Sequence, residues 1–188
     1  MSTLEPVEIT AGSLHLRPWR PGDADAVFAV CQDPEIQRWT TIPSPYHRDD
    51  ATGFVDGRSP ANWATGTAAQ FAVVDATSGE LLASVGLQDL RDPAGHPGVA
   101  PGGDGEVGYW CAATARGRGV VTSAVEVLCR WGFGPLELAR IRWIALTGNE
   151  ASRRVAVKAG FAIDPAPRSL PHPRDGVIAN FWTGVLLP

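Results

Sequence analysis

The segment Arg116-Gly-Arg-Gly-Val-Val stands between a run that reads as a strand, Glu106 to Ala112, and the first turn of a helix. At such a junction Gly117 and Gly119 let backbone N–H groups come close to a ligand. The helix N-terminus behind them adds four unpaired donors and about half a positive charge. A phosphate or pyrophosphate is the chemistry that fits, with Arg116 and Arg118 adding charge. A tight strand-to-helix turn would account for the same glycines without any ligand. Two other anion-site motifs fit less well. A P-loop needs Gly-Lys-Ser/Thr, which is missing, and a dinucleotide fold needs an acid near the end of the next strand, which closes instead on Ala145-Leu146-Thr147. Asn149 and Ser152 can each donate and accept a hydrogen bond, and Asn149 is also a natural helix cap. Cys111 could act as a nucleophile, but nothing adjacent in sequence would make it a thiolate, so a buried structural thiol is the better reading. The histidines, His15, His47, His96 and His172, are isolated from Cys and carboxylates at ligand spacing, so no metal site is expected.

The elements that must hold these groups follow from periodicity. Leu14 to Trp19 alternates as a first strand, and Asp23 opens a helix with Ala24, Val27, Phe28 and Cys31 on one stripe. Asp33-Pro34 opens a second helix carrying Ile36 and Trp39. A third is expected over Arg48 to Asp56, weakened by Gly53 and Gly57. Gln70 to Asp75 and Leu81 to Gln88 make a hairpin, and the Gly/Pro/Asp-rich stretch from Leu90 to Gly105 reads as an exposed, dispensable excursion. Glu106 to Ala112 is the fourth strand. The helix after it buries Val121, Ala124, Val125, Leu128 and Trp131. Ile141 to Leu146 is the fifth strand, Asn149 caps a helix ending at Gly160, and Phe161 to Asp164 and Val177 to Leu187 are the last two strands. No repeat or linker divides the 188 residues, so one domain over 1–188 is expected.

Composition narrows the partners. The formal net charge is −4, and no run of basic residues offers a footprint for nucleic acid. No apolar run approaches the roughly 20 residues of a membrane span, and the first ten residues lack an export signal. Three cysteines set in apolar runs suit a reducing compartment, so a cytoplasmic location is expected.

Taken together, four segments resemble the GNAT superfamily of acyl-CoA-dependent N-acetyltransferases, in its branch that includes the RimJ and RimL ribosomal-protein acetyltransferases. Leu14-His-Leu-Arg-Pro-Trp with Asp23-Ala-Asp-Ala is similar to that branch's first strand and helix. Gly105-Glu-Val-Gly-Tyr-Trp is similar to its fourth strand, and Asn149-Glu-Ala-Ser-Arg-Arg-Val-Ala-Val-Lys-Ala-Gly-Phe to its helix after strand five. The family's Arg/Gln-x-x-Gly-x-Gly/Ala signature aligns with Arg116, Gly119 and Val121, the last a larger residue than the pattern asks for. The resemblance implies an α+β fold: a mixed, mostly antiparallel seven-stranded sheet, splayed between strands four and five, with helices on both faces. It implies acetyl-CoA as co-substrate, its pantetheine arm passing Trp110, Cys111 and Ala112, and its pyrophosphate on Arg116, Gly117, Arg118, Gly119, Val120, Val121 and Thr122. Asn149 and Ser152 would meet the arm or the sulfur, and Arg154, beside Arg153 and Lys158, the 3'-phosphate. Glu106 is implied as general base. Tyr109 would lie on the opposite face of the strand, in the core. The helix after Asn149 lacks the family's tyrosine, which leaves Ser152 or water to protonate the thiolate. Trp39 and Tyr46 are implied for the acceptor, along with His47 and the Pro165 to Asp175 loop. The implied function is acetyl transfer to a peptide or protein α-amine, with a small-molecule amine or a non-catalytic acyl-CoA-binding regulator as alternatives, and a homodimer as the family-level expectation.

Overall fold

The computed structural model describes residues 3–188. Its elements are β1 (Ile9–Ala11), β2 (Leu14–Pro18), α1 (Ala24–Val30), α2 (Pro34–Trp39), α3 (Arg48–Thr52), α4 (Ser59–Thr65), β3 (Ala69–Asp75), β4 (Leu81–Arg91), β5 (Asp104–Cys111), α5 (Val120–Phe133), β6 (Arg140–Leu146), α6 (Glu150–Lys158), β7 (Ala162–Ile163), β8 (Arg168–Pro171) and β9 (Ile178–Leu186). The strands form one sheet in the order β1-β2-β3-β4-β5-β6-β9-β7, with β8 also on β9. All pairings are antiparallel except β5–β6. A parallel pair needs a crossover, and α5 supplies it.

That parallel pairing is short. Its register runs from Asp104↔Arg140 to Val107↔Trp143 and then stops, although β5 continues to Cys111 and β6 to Leu146. The two strands therefore diverge, as expected, and open a slot in the middle of the sheet. Beyond the slot β6 is secured by β9, which pairs along its whole length from Ile141↔Leu186 to Leu146↔Phe181.

Alternation divides the sheet into two cores. On one face α5 presents Val121, Ala124, Val125, Leu128 and Trp131 to Leu16, Phe71, Val85, Leu87, Val107 and Trp143, all buried. Trp63 of α4 reaches this core and meets Phe71 and Trp131 ring to ring at 5.1 and 5.9 Å. On the other face Val27 of α1, Cys31 just after it, Ile36 of α2, and Ala51 and Val55 cover Ala72 and Val74. Trp19 and Trp110 close that second core, their ring centres 6.0 Å apart. Helices thus lie on both faces.

Several expectations need correction. The sheet has nine strands, not seven. The two extra ones, β1 and β8, are edge strands of three and four residues, too short to show a period, and β8 ends on a proline, which an edge tolerates. The helix expected over Arg48 to Asp56 continues to Thr65, because the chain absorbs Gly53 and Gly57 in a wide π turn over Gly53–Arg58 and restarts with Pro60 in the first turn of α4. Asp23 does not cap α1 with its side chain. Its carboxylate accepts from Arg17 Nη1 and Nη2 at 2.7 and 2.8 Å and from the Arg20 amide at 2.8 Å. The Leu90 to Gly105 stretch is not a free excursion. Leu90 is 1% exposed and Val99 is 9% exposed, and the amides of Gly98, Val99 and Gly102 donate to Leu90, Gly66 and Glu137 carbonyls. Gly103 is packed so tightly that a Cβ there would lie 2.1 Å from the Arg91 carbonyl oxygen. Pro93 to Pro97 at its tip are exposed throughout, as are Pro101 and Gly102.

Candidate active site

The slot decides which groups can meet. In the β4–β5 ladder Trp110 lies opposite Ser84 and Gly108 opposite Gly86, and just past β5 the Ala112 amide donates to the Leu82 carbonyl. Backbone groups alternate along a strand. The amides and carbonyls of Glu106, Gly108, Trp110 and Ala112 therefore face β4, and those of Val107, Tyr109 and Cys111 face β6. Past Val107 there is no β6 partner, so Tyr109 and Cys111 carry the free edge. Of the expected trio Trp110, Cys111 and Ala112, only Cys111 offers its backbone to the slot. Its carbonyl also accepts from Arg116 Nη2 at 3.3 Å.

Where the slot opens, the chain makes the turn that leads into α5. Gly117 and Gly119 have φ of 74° and 77°, the left-handed region that glycine enters without strain. Space is open over both, with no atom within 4 Å of where a Cβ would stand. Among the described residues none of the amides from Gly117 to Thr122 makes a backbone hydrogen bond of normal geometry. The Val120 and Val121 side chains are buried in the first core, so the bulk of Val121 points inward and leaves the loop's outer face clear. Arg118 is exposed and unpaired among the described residues. Arg116 is engaged elsewhere, its Nη2 2.7 Å from Asp33 Oδ2, which locks this loop to the start of α2. Asp33 is also the expected cap of α2, accepting from the Glu35 amide at 2.8 Å.

Across the slot, Asn149 Oδ1 accepts from the Ser152 amide at 3.1 Å and caps α6. Ser152 is 9% exposed and belongs to a ring of three groups. Tyr109 Oη lies 2.9 Å from Ser152 Oγ and 3.1 Å from the Ser152 carbonyl, and Trp143 Nε1 donates to Tyr109 Oη at 3.0 Å and to Ser152 Oγ at 3.1 Å. Burial pushes the Tyr109 phenol up to about 12, so it stays protonated and can donate. When Tyr109 donates to Ser152 Oγ, the serine accepts from two partners and its own proton is free for a group outside the ring. Tyr109 is thus on the face opposite Glu106, as alternation required, but it is a polar member of the site and more than core filling. Trp143 was not anticipated at all. Its indole N–H has a partner only because the fold brings β5, β6 and α6 together.

On the other face of β5 stands Glu106, its side chain 20% exposed. Gln88 Nε2 donates to Glu106 Oε1 at 3.2 Å, and Arg142 Nη1 is 3.9 Å from Oε2. Burial raises the carboxyl's pKa, opposed by the Gln88 hydrogen bond and the Arg142 charge. Gly108, two residues on, makes room for the Gln88 side chain, whose amide would lie 3.2 Å from a Cβ there. Trp39 comes close to the top of the slot, its Cη2 3.6 Å from where a Cβ on Gly148 would stand. Its indole is held by Glu35 Oε2 at 2.9 Å, with Arg38 4.4 Å over the ring. Arg174, in the Pro165 to Asp175 loop, donates to the Gln37 and Thr40 carbonyls beside it. Tyr46 is a correction. It is 5% exposed and part of the second core, so it presents almost no surface to an acceptor. Arg154 is exposed and unpaired among the described residues, whereas Arg153 lies 5.5 Å over the Trp182 ring. Burial also raises the Cys111 thiol pKa against the pull of Arg116 and Arg118, the reverse of what a nucleophilic thiolate requires.

Residues 13–162 match the family of acetyltransferase (GNAT) domains. The chain belongs to the GNAT acetyltransferase family. Among curated proteins, YdaF of Bacillus subtilis (strain 168), whose name assigns it provisionally to ribosomal N-acetyltransferases, is 43% identical over 75 residues. That match spans 40% of this chain and only 38% of YdaF. Among solved structures, a Vibrio cholerae protein described provisionally as a ribosomal-protein-serine acetyltransferase superposes with a TM-score of 0.80 at 19% identity, covering 100% of both chains. Mycobacterium smegmatis RimJ, solved in complex with CoA-disulfide, gives 0.79 at 20% identity over 99% of this chain and 87% of its own. At such identities the likeness is one of GNAT fold. No described helix is long and apolar enough to cross a membrane.

Proposed function

We propose that this single domain is an acetyl-CoA-dependent N-acetyltransferase that moves acetyl directly from the thioester to a primary amine, the α-amine of a peptide or protein N-terminus. The observation that carries the proposal is the slot past Val107 and Trp143, which has unpaired amides at one end and Glu106 and Ser152 on its two sides. Acetyl-CoA fits the residues present. The amides of Gly117 to Thr122 suit the pyrophosphate, the free edge at Tyr109 and Cys111 suits the amide-rich arm, and Arg118 and Arg154 offer charge to the remaining phosphate. Named relatives of the same family support the peptide acceptor.

The chemistry then divides between the two faces. An α-amine has a pKa of about 7.7 to 8.0 and is mostly protonated at neutral pH. Glu106, directly or through water, accepts that proton. The neutral nitrogen attacks the thioester carbonyl, the N–C bond forms, and the negative charge on oxygen is met by backbone N–H groups of β5. As the C–S bond breaks, the attacking nitrogen gives up its second proton, which passes through water to the departing sulfur, while the Ser152 hydroxyl, held by Tyr109 and Trp143, stabilises the thiolate with a hydrogen bond. Much of the rate comes from holding amine and thioester together in the slot.

Release of free thiol from acetyl-CoA across a panel of N-terminal peptides, polyamines, amino acids and aminoglycosides tests this. Turnover is expected with peptides and little without an acceptor. Turnover confined to small amines would replace the acceptor class, and binding of coenzyme A with no turnover on any amine would favour a regulator.

A further inference from the structure

The charged groups around Glu106 come from three strands, and their pairing is uneven. On β4, Asp89 pairs with Arg91 at 2.6 Å; on β5, Asp104 pairs with Arg140 of β6 at 2.7 Å. Arg142 of β6 reaches over β5 to Asp89, Nη2 to Oδ2 2.8 Å, although Glu106 is its direct neighbour in the register. Its closest approaches to Glu106 and Asp104 are longer, 3.9 and 3.8 Å. What draws it away is a β-bulge. The β4–β5 register breaks between Gln88 and Arg91, and Asp89 takes φ of 49°, a left-handed conformation rare outside glycine. The bulge turns Leu90 into the first core, where its amide donates to the Thr67 carbonyl, and turns Asp89 out over β5. Such strain persists only where surrounding structure enforces it, and it gathers at functional sites.

We propose that Asp89 is a positioning residue: by holding Arg142 across β5, it keeps the guanidinium from closing onto Glu106 and so sets the protonation of the base. With Arg142 withheld, burial dominates at Glu106 and, helped by the nearby Asp89 charge, raises the pKa of its carboxyl, which favours proton uptake. If Arg142 closed to direct contact, Glu106 would be a stable carboxylate and a poorer base. The inference concerns the state of Glu106 in the free protein; only its kinetic consequence rests on the proposed function.

The test is a carbon-13 NMR titration of the Glu106 carboxyl in the protein without acetyl-CoA, for wild type, Asp89→Asn, Arg142→Met and the double variant. Asparagine accepts a left-handed φ, so Asp89→Asn should keep the bulge. Asp89→Asn should lower the Glu106 midpoint by about one pH unit, the scale of an opposite charge moving to contact. Arg142→Met should raise it, and in that background Asp89→Asn should lose most of its effect. An unchanged midpoint in Asp89→Asn, or the same shift with and without Arg142, overturns the inference. Should Arg142→Met fail to fold, a crystal structure of Asp89→Asn decides alone: Arg142 in contact with Glu106 supports the inference, and a guanidinium still near 3.9 Å overturns it. The acidic limb of the kcat/KM profile should follow the NMR midpoint. A midpoint that moves while the limb stays would remove Glu106 as the base and leave the positioning role of Asp89 intact.

Discussion

At the scale of single residues, Glu106 carries two linked consequences. Glu106→Gln keeps the shape and the Gln88 contact but removes the proton acceptor, so turnover should fall by about 10² to 10⁴ with coenzyme A binding unchanged, and the acidic limb of the rate profile should disappear. The same change bears on stability. Burial raises the carboxyl above its ordinary value of 4.5, so the native state holds the proton more tightly than the unfolded chain. Stability is then fully present below the unfolded value and falls as pH rises through the raised folded value. Glu106→Gln removes that loss, and its Tm should equal or exceed wild type at pH 7, with the difference shrinking toward pH 4. A variant that is less active and also clearly less stable at pH 7 would point to a structural role. The Tyr109, Trp143 and Ser152 ring makes the complementary point. Its members are polar and nearly enclosed and satisfy one another, and the serine proton is left over when Tyr109 donates to Oγ rather than to the Ser152 carbonyl.

At the scale of elements, the turn into α5 and the β4–β5 connection behave in opposite ways. The turn keeps its amides free and its outer face empty, which leaves them open to an anionic ligand. Coenzyme A should therefore raise Tm by mass action, about 2.7 kcal/mol at a hundred times Kd. Gly119→Asp should abolish the rise, since it sets a carboxylate against the pyrophosphate and forces a non-glycine residue to φ of 77°. A rise that survives Gly119→Asp would place the cofactor elsewhere. The connection between β4 and β5, by contrast, is flexible in composition but anchored in place. Replacing the exposed tip, Pro93 to Pro97, with a shorter polar turn should shift Tm by less than about 2 °C, as surface changes do. Gly103→Ala should lower it by several degrees, because the added carbon meets the Arg91 carbonyl and must displace backbone. Thermal melts of the two variants side by side would separate tip from anchor.

At the scale of the whole molecule, the sheet is a partition opened by the slot between β5 and β6. Glu106, Gly108 and Trp110 lie on the side of α1 to α3, and Tyr109, Ser152 and α5 on the other, so in the proposed reaction acceptor and thioester meet through the slot. Such a layout calls for a ternary complex. Initial-rate plots against acetyl-CoA and peptide should intersect, and mass spectrometry of the enzyme with acetyl-CoA alone should find no acetylated protein. Parallel plots together with acetyl on Cys111 would overturn this and show a covalent route.

Much of this was legible in the chain itself. Local chemistry decides a helix cap, a left-handed turn or an alternating strand, and so Asp33, Asn149, the glycines at 117 and 119 and the placement of Tyr109 and Glu106 on opposite faces could all be read from neighbours in sequence. The cores followed from stripes at helical spacing. What could not be read depends on residues far apart in the chain. Tyr109 and Ser152 are 43 positions apart, and Asp89 and Arg142 are 53 apart. Arg116 reads as a phosphate ligand until α2 brings Asp33 to it, and Tyr46 is implied as an acceptor contact until α1 and α3 enclose it. The bulge at Asp89 has no signature in composition, since it exists to satisfy Leu90 in the core. Periodicity reports which face a side chain takes, whereas only the tertiary structure decides which partner waits there, because hydrogen bonds and ion pairs act over a few ångströms and the fold alone sets those distances.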